Sequence, residues 1–561
     1  MKYTVSGFAL LFLMGSLACS PAPPSGEQAI LAWKNIGINT YAPSAYQNHI
    51  DVAHYSLDLT IDLERSSVSG TTAIRGKKDA GLAVLELDLY ENMNVLRVTS
   101  GNRALTFHRP GRHKLRIDLP DARAETFDVV VAIKGRPFRI RSDSDWECGL
   151  LFDGTREQPV VNTCFQPFFA RSLFPCKDHP SDKAEEGVDI TITAPKPLNV
   201  VATGHLVEKT EGADSRTVHW RTCYPVATNL ISFSAAAYVE IRGSYETVDG
   251  KELSLHHFVL PENEARARKA FQEAPRVLKT YEHFFGPFPF VKDKYCLVET
   301  SYKGLENQTA IAYGSGYPEE APGRGEYDYT LVHETAHEWA GNAVTCTDWR
   351  DIWLHEGIAT YAEGLYLEER DGRDVYLDLA RKWQQYAGNG ALTARDPNSD
   401  KDIFDSSIVY CRAPAVLHML RFVIGKRAFL KGLKSFLTDP AFRYGNADTA
   451  DFRRIMERVS GRNLGGFFRA WVHGEGLFSC EYDVALEGRM VTVAVRSVSG
   501  RGELHRLPLT VRLEQGDTSE DRTIQVGPEG VQCRIPLRGR GEWRVVFDPE
   551  SWLLKGDFKK R

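Results

Sequence analysis

Charge of one sign, paired cysteines, internal repeats and long apolar runs are all scarce in this 561-residue chain, and each shortage removes a class of function. Lys and Arg number 69 against 74 Asp and Glu, a formal net charge of −5, so the basic footprint of a nucleic-acid binder is missing and no nucleic-acid partner is expected. The basic end, Lys555, Lys559, Lys560 and Arg561, reads as a solvated tail. Of ten cysteines, the nine from Cys148 to Cys533 are scattered without a CxxC pair, which argues against a structural zinc knuckle or a disulfide framework. They read mostly as buried thiols, with one or two bridges left open. Beyond the first nineteen residues no segment reads as long and apolar enough to cross a membrane. What remains is an ordinary globular composition, 42% hydrophobic and 25% charged, in a chain too long for one core, so three or four domains are expected.

The N-terminus stands apart. Lys2 precedes an apolar run from Phe8 to Leu13, then Gly15-Ser16-Leu17-Ala18-Cys19. The run is too short for a bilayer span and reads as a signal-peptide core over residues 1–19. Leu17-Ala18-Cys19 resembles a bacterial lipoprotein cleavage site, with the leucine one place closer to the cysteine than usual. The expectation is an exported protein of the periplasm or outer membrane, lipid-anchored at Cys19; a plain secretory signal is the alternative. Residues 20–44, rich in proline at Pro21, Pro23 and Pro24, suit a tether.

The pattern along the rest predicts a multidomain α+β protein. Residues 45–242 alternate apolar and polar side chains, as at His54–Leu63, Thr71–Ile74, Val188–Ile192, Leu198–Ala202 and Val218–Trp220, and predict an all-β domain. Residues 243–476 carry helical spacing: one helix from Glu262 to Phe285, then helices from Tyr329 to about Trp471, interrupted by polar stretches at Ser315–Glu326 and Asn389–Ser407. Residues 477–561 return to strands, at Val491–Val495, Leu507–Leu513, Arg522–Val526 and Trp543–Phe547, and predict a small C-terminal β-sandwich.

Chemistry concentrates at His333-Glu334-Thr335-Ala336-His337, an HExxH sequence. At about 100° per residue, histidines four apart lie one turn apart on one helix face, where two imidazoles can reach one ion. Leu331, Val332, Ala336, Trp339 and Ala340 supply an apolar face, and Gly341 is placed to end the helix. Glu356 follows nineteen residues after His337, within Trp353-Leu354-His355-Glu356-Gly357, at the start of a second helical pattern. A carboxylate on an otherwise apolar face is costly unless paired or metal-bound. Two histidines and a glutamate form a three-ligand zinc site with a fourth position open. The expectation is one zinc per chain.

These residues resemble the gluzincin aminopeptidases of the aminopeptidase N family, which includes leukotriene epoxide hydrolase. Gly304-Leu305-Glu306-Asn307 is similar to the family's Gly-x-Met-Glu-Asn strand, and Cys164-Phe165-Gln166 through Asp178 to its first-domain substrate loop. Ile408–Arg412 resembles the segment bearing its catalytic tyrosine, and Gly286–Phe290 and Trp471 fall in matching order. The resemblance runs from about residue 45 to 475. It implies a thermolysin-like catalytic domain and a metallopeptidase that takes peptide substrates with a free N-terminus. Glu334 lies about 100° round the helix from His333 and is placed as general base. Tyr410 as oxyanion donor, and Gln166, Gly304, Leu305 and Glu306 as substrate-binding residues, rest on the resemblance alone. Glutamine at 166, where most members carry glutamate, and leucine at 305, where methionine is usual, depart from the family, as do Cys164 and Cys411. An amide at 166 implies weaker hold on the N-terminus and less dependence on pH than two carboxylates. Side-chain preference is left open: Asp402 and Asp405, near Tyr410 in the chain, could favour basic residues, but acidic loop residues are usually just solvated. Two rivals stand beside this reading: an epoxide hydrolase acting on a fatty-acid derivative, and an inactive peptide-binding homologue. The family's all-helical C-terminal domain is replaced here by strands, against the first; Glu334, Tyr410 and Glu306 are all present, against the second. Oligomeric state is left open.

Overall fold

The computed structural model describes residues 28, 30–33, 41–142, 146–314, 316–318, 322–498, 506–538 and 541–561. The expected signal run, Cys19 and much of the 20–44 tether lie outside the described residues.

Period-two alternation builds the first part of the chain as expected. In the strand Ile50–Asp62, Leu57, Leu59 and Ile61 are buried while Asp58 and Thr60 face solvent. It pairs antiparallel with Ser67–Lys78 and parallel with Val188–Pro195, at the centre of an eight-stranded sheet. A second, six-stranded sheet contains Glu147–Gly154, Pro159–Cys164 and Phe233–Ala236. The chain leaves Cys164 directly into the loop that carries Gln166.

The strand Val239–Glu246 runs across the expected domain border at 242/243. It pairs with Glu252–Val259, which continues through Leu297–Glu299 and Ile311–Tyr313 to the edge strand Gly304–Leu305. This five-stranded sheet carries Gly304 and Leu305 at one edge, and its other edge strand spans both sides of that border.

Helices follow. The single helix expected from Glu262 to Phe285 is two, Glu264–Ala270 and Ala274–Phe285, parted by a tight turn at Phe271–Glu273. Pro275 explains the break: it has no N–H to donate and its ring crowds the carbonyl four residues back, whereas the first turn of a new helix tolerates both. The helix Trp353–Asp371 is buried nearly throughout and packs on Tyr329–His337, Arg373–Tyr386 and Ala413–Ile424. The stretch Asp400–Ile424 corrects one expectation, since it is long and apolar enough by length and composition to cross a membrane. Most of it is buried within the protein, where apolar helices shield one another.

The C-terminal strands form a four-stranded sheet around Met490–Ser497 and a three-stranded sheet around Leu507–Gln515, with Val491, Val493, Leu509 and Val511 buried. Trp552 joins this sandwich to the helices. Its ring stacks on His418 at 4.2 Å and Phe422 at 5.2 Å, His418 Nε2 lies 3.0 Å from the Ser551 carbonyl, and Arg373 pairs with Glu550. Trp552→Ala is expected to cost about 3 kcal/mol of stability, read as a lower thermal midpoint and faster proteolysis at the join near Gly476.

Candidate active site

The helix Tyr329–His337 is held at its start and in its first turn. The Asp328 side chain caps it by accepting from Leu331 N at 3.1 Å, and the Tyr281 hydroxyl donates to the Val332 carbonyl at 2.9 Å. The last helical residue is His337, four before Gly341. Beyond it Asn342 N donates to the His337 carbonyl at 2.9 Å and Ala343 N to that of Glu338 at 3.1 Å, wider turns that unwind the helix early.

His333, His337 and Glu356 come together, all buried. The two Nε2 atoms are 3.1 Å apart, and Glu356 Oε2 lies 3.3 Å from that of His333 and 3.5 Å from that of His337. Ligands bound to tetrahedral zinc at about 2.0–2.1 Å stand ~3.3–3.4 Å from one another, so the spacing suits such an ion. The other ring nitrogens make the case stronger. His333 Nδ1 faces Glu363 Oε1 at 2.8 Å, and His337 Nδ1 faces the Ala340 carbonyl at 2.9 Å with Glu306 Oε2 at 2.5 Å. These partners only accept, so both Nδ1 atoms carry the protons and both Nε2 atoms turn lone pairs toward one another and toward a carboxylate. A cation resolves that opposition. Without a cation, protons on the Nε2 atoms answer the same opposition: burial pulls both imidazoles down, yet Glu356 and Glu363 hold His333 up to about 9, and Glu306 and Glu356 hold His337 well above its ordinary value. Burial works against the Glu356 charge too, and His337 and His333 keep its carboxyl well below the usual range. The cluster calls for positive charge.

Glu334 stands outside this triangle. Burial pushes its carboxyl up to about 7, with His333 and His337 pulling the other way. Gly304 passes so close that a Cβ there would meet Glu334 Oε1 at 2.6 Å, which leaves no room for a larger residue. The Gly304–Leu305 edge strand then delivers Glu306. Gln166 Nε2 donates to Glu306 Oε1 at 2.8 Å, and His355 Nδ1 lies 3.2 Å from the same oxygen. Glu306 Oε2, though close to His337 Nδ1, receives no directed hydrogen bond. The neighbouring Leu305 is nearly buried.

Tyr410 lies in one wide turn, Ser407–Arg412, with five-residue hydrogen-bond spacing, a geometry that re-aims a side chain. Its ring sits 6.0 Å from that of His333; burial and the nearby Glu356 and Glu334 charges push its hydroxyl well above the ordinary value. Gly357 makes this approach possible, because a Cβ there would meet Ala413 Cβ at 2.6 Å. Asp402 and Asp405 are exposed. Asp402 Oδ2 accepts from Asp396 N at 3.0 Å and Asp405 Oδ1 from Ser407 N at 2.9 Å, so they shape the turn before Tyr410.

Two residues at the site had no role assigned from the sequence. Glu363 orients His333 and accepts from the Tyr327 hydroxyl at 2.5 Å; His355, held by Cys346 N at 2.7 Å, steadies Glu306. Glu363 had a signal, for it sits seven residues after Glu356, two turns on along the same apolar helix face. His355 had none beyond its place beside Glu356. Replacing Glu363 by Gln should weaken metal affinity about 10- to 100-fold, measured by competition against a chelator.

The comparisons agree with this geometry. Residues 51–230 match the model of the peptidase M1 N-terminal domain and residues 269–471 that of the peptidase family M1 domain, together more than half the chain. Aminopeptidase N of Lactococcus lactis subsp. lactis is 26% identical over 452 residues, which cover 75% of this chain and 51% of that protein. Tricorn protease-interacting factor F2 of Thermoplasma acidophilum is 26% identical over 442 residues, 73% of this chain and 53% of its own. The chain thus spans about half the length of these relatives. Among solved structures, the aminopeptidase A of Legionella pneumophila in complex with aspartic acid superposes with a TM-score of 0.77 at 18% identity, over 91% of this chain and 59% of that one. An M1 zinc metallopeptidase from Deinococcus radiodurans gives 0.64 at 23%, over 78% and 96%. Two family models in chain order, and an HExxH helix facing a glutamate helix in space, lead to one statement: the chain belongs to peptidase family M1.

Proposed function

We propose that the protein is an aminopeptidase that uses one zinc ion, held by His333, His337 and Glu356, to release N-terminal residues from peptides. The observation that carries the reading is Glu306: a buried carboxylate fixed by Gln166 on one oxygen and set against His337 Nδ1 on the other, beside the proposed metal ligands. A free peptide N-terminus is an ammonium with a pKa near ~7.7–8.0, and a carboxylate fixed at that place supplies an acceptor and a charge that select it. The Gly304–Leu305 strand is the edge of its sheet and offers backbone groups to an extended peptide. Binding there sets the first peptide bond near Glu334.

When bound, zinc supplies a Lewis acid that makes water nucleophilic near neutral pH and draws electrons from the scissile carbonyl. Glu334 takes the proton of the attacking water and returns it to the leaving amine, a task suited to a carboxyl with a pKa near neutrality. Tyr410 donates its hydroxyl proton in a hydrogen bond to the oxyanion, which its raised value allows because the group stays protonated. The relatives named aminopeptidases support the peptide reading over epoxide hydrolysis, and the intact set of Glu334, Tyr410 and Glu306 supports activity over mere binding. Export and an anchor at Cys19 belong to the same proposal, supported by the Phe8–Leu13 run and Leu17-Ala18-Cys19.

Hydrolysis of amino-acid arylamides should be lost in a chelator, return with zinc, and fail on N-acetylated substrates; cleavage of acetylated substrates at equal rate would overturn the assignment. Glu334→Gln should lower kcat by at least about 1,000-fold with metal content unchanged. In Gln166→Glu the donor to Glu306 is replaced by a second charge, and an arriving ammonium relieves the repulsion, so KM should fall about fivefold above neutrality. One carboxyl of that pair takes a raised pKa, so its advantage should vanish as pH falls through that value; KM measured against pH checks both signs.

A further inference from the structure

A second cluster of metal-binding side chains lies away from the first, at the seam between the N-terminal β region and the catalytic unit. His205 opens the strand His205–Glu211, which pairs with Ser215–Arg221 so that His205 faces Arg221, and Cys223 follows two residues later. Asp293 comes from the catalytic side, just after the Phe288–Phe290 loop. His205 Nδ1 is 3.1 Å from Asp293 Oδ1, and Cys223 Sγ is 3.6 Å from His205 Nδ1. One ligand atom from each of the three lies within 4.8 Å of the others.

We propose that His205, Cys223 and Asp293 bind a second zinc ion, with solvent at its fourth position. The spacing is that of a mixed site: a thiolate at about 2.3 Å and an imidazole at about 2.05 Å from tetrahedral zinc stand ~3.5 Å apart. A thiolate with a carboxylate carries two negative charges and a neutral imidazole none, which balances a divalent ion, and sulfur with nitrogen selects zinc over calcium or magnesium. The Asp293 side chain is fully buried, a position in which a carboxylate needs compensation. Its backbone contacts also fix its direction, since Cys223 N approaches Oδ1 at 3.0 Å and Oδ2 at 3.3 Å. Cys223 is exposed and His205 half-buried, so an ion can enter from solvent. Binding forms the zinc–sulfur bond and releases the Cys223 thiol proton to water, while His205 keeps its proton on the outward Nε2.

The position gives this ion a mechanical meaning. Lys294 Nζ, one residue past Asp293, donates to the carbonyls of Ala202 and Gly204 across the same seam. Gly204 N donates to Thr309 Oγ1 at 2.9 Å, three residues beyond Glu306. The ion would add a tie between the two regions beside these hydrogen bonds.

Cobalt distinguishes the two sites, because His333, His337 and Glu356 include no sulfur. The full chain, stripped and reloaded with Co2+, is expected to take two ions and to show thiolate-to-cobalt charge-transfer absorption in the near ultraviolet. Cys223→Ser should remove that absorption and reduce the stoichiometry from two to one while arylamide hydrolysis persists. Glu356→Ala should abolish hydrolysis and leave the absorption in place. One bound ion in the parent chain, or thiolate absorption that survives in Cys223→Ser, would overturn the second site. Loss of hydrolysis on removing the first ion tests the peptidase reading separately.

Discussion

Two imidazole nitrogens with their lone pairs turned toward each other across 3.1 Å set the terms for the centre of this protein. Each ring is fixed from behind, His333 by Glu363 and His337 by the Ala340 carbonyl, so neither can rotate away or move its proton inward without losing a bond. Adding Glu356 to the triangle deepens the need for a positive charge. In water such groups would be hydrated and indifferent to each other; buried, they are strongly selective for one kind of guest. The helices around them, packed through a buried apolar core, also keep three donors from relaxing apart.

The cost of assembling these groups is spread outward through successive contacts. Glu363 is matched by Tyr327, Glu306 by Gln166 and His355, and His355 by the Cys346 amide. Backbone closeness does as much as hydrogen bonding. Gly304 leaves space for Glu334, and Gly357 lets the helix after Tyr410 settle against the helix bearing Glu356. At Glu306 Oε2 the support is the close approach of His337 Nδ1 at 2.5 Å, charge facing charge without a well-directed hydrogen bond.

Much of this was legible in the linear chain because it depends on periodicity. HExxH places ligands on one helix face by arithmetic alone, and strict alternation located strands such as Ile50–Asp62. Trp543–Phe547 fell where alternation put it. Less legible were features set by a single hydrogen bond or steric clash. Pro275 divides a helix whose apolar spacing runs straight through it, and the helix of His337 stops four residues before its glycine because wider turns take over. For Asp402 and Asp405 the sequence did not show that one oxygen of each accepts from a backbone amide of the turn before Tyr410. The contact between Gln166 and Glu306, 140 residues apart, has no local trace; only likeness to a family placed both near one substrate.

That contact also carries a lesson about how the molecule must be made. Gln166 belongs to a loop of the N-terminal β region and Glu306 follows an edge strand of the sheet beyond it, so their contact exists only where the two regions meet. On the proposed reading, a nascent or damaged chain with either region misfolded would be mute toward peptides, and the architecture would act as a coincidence detector for its own completion.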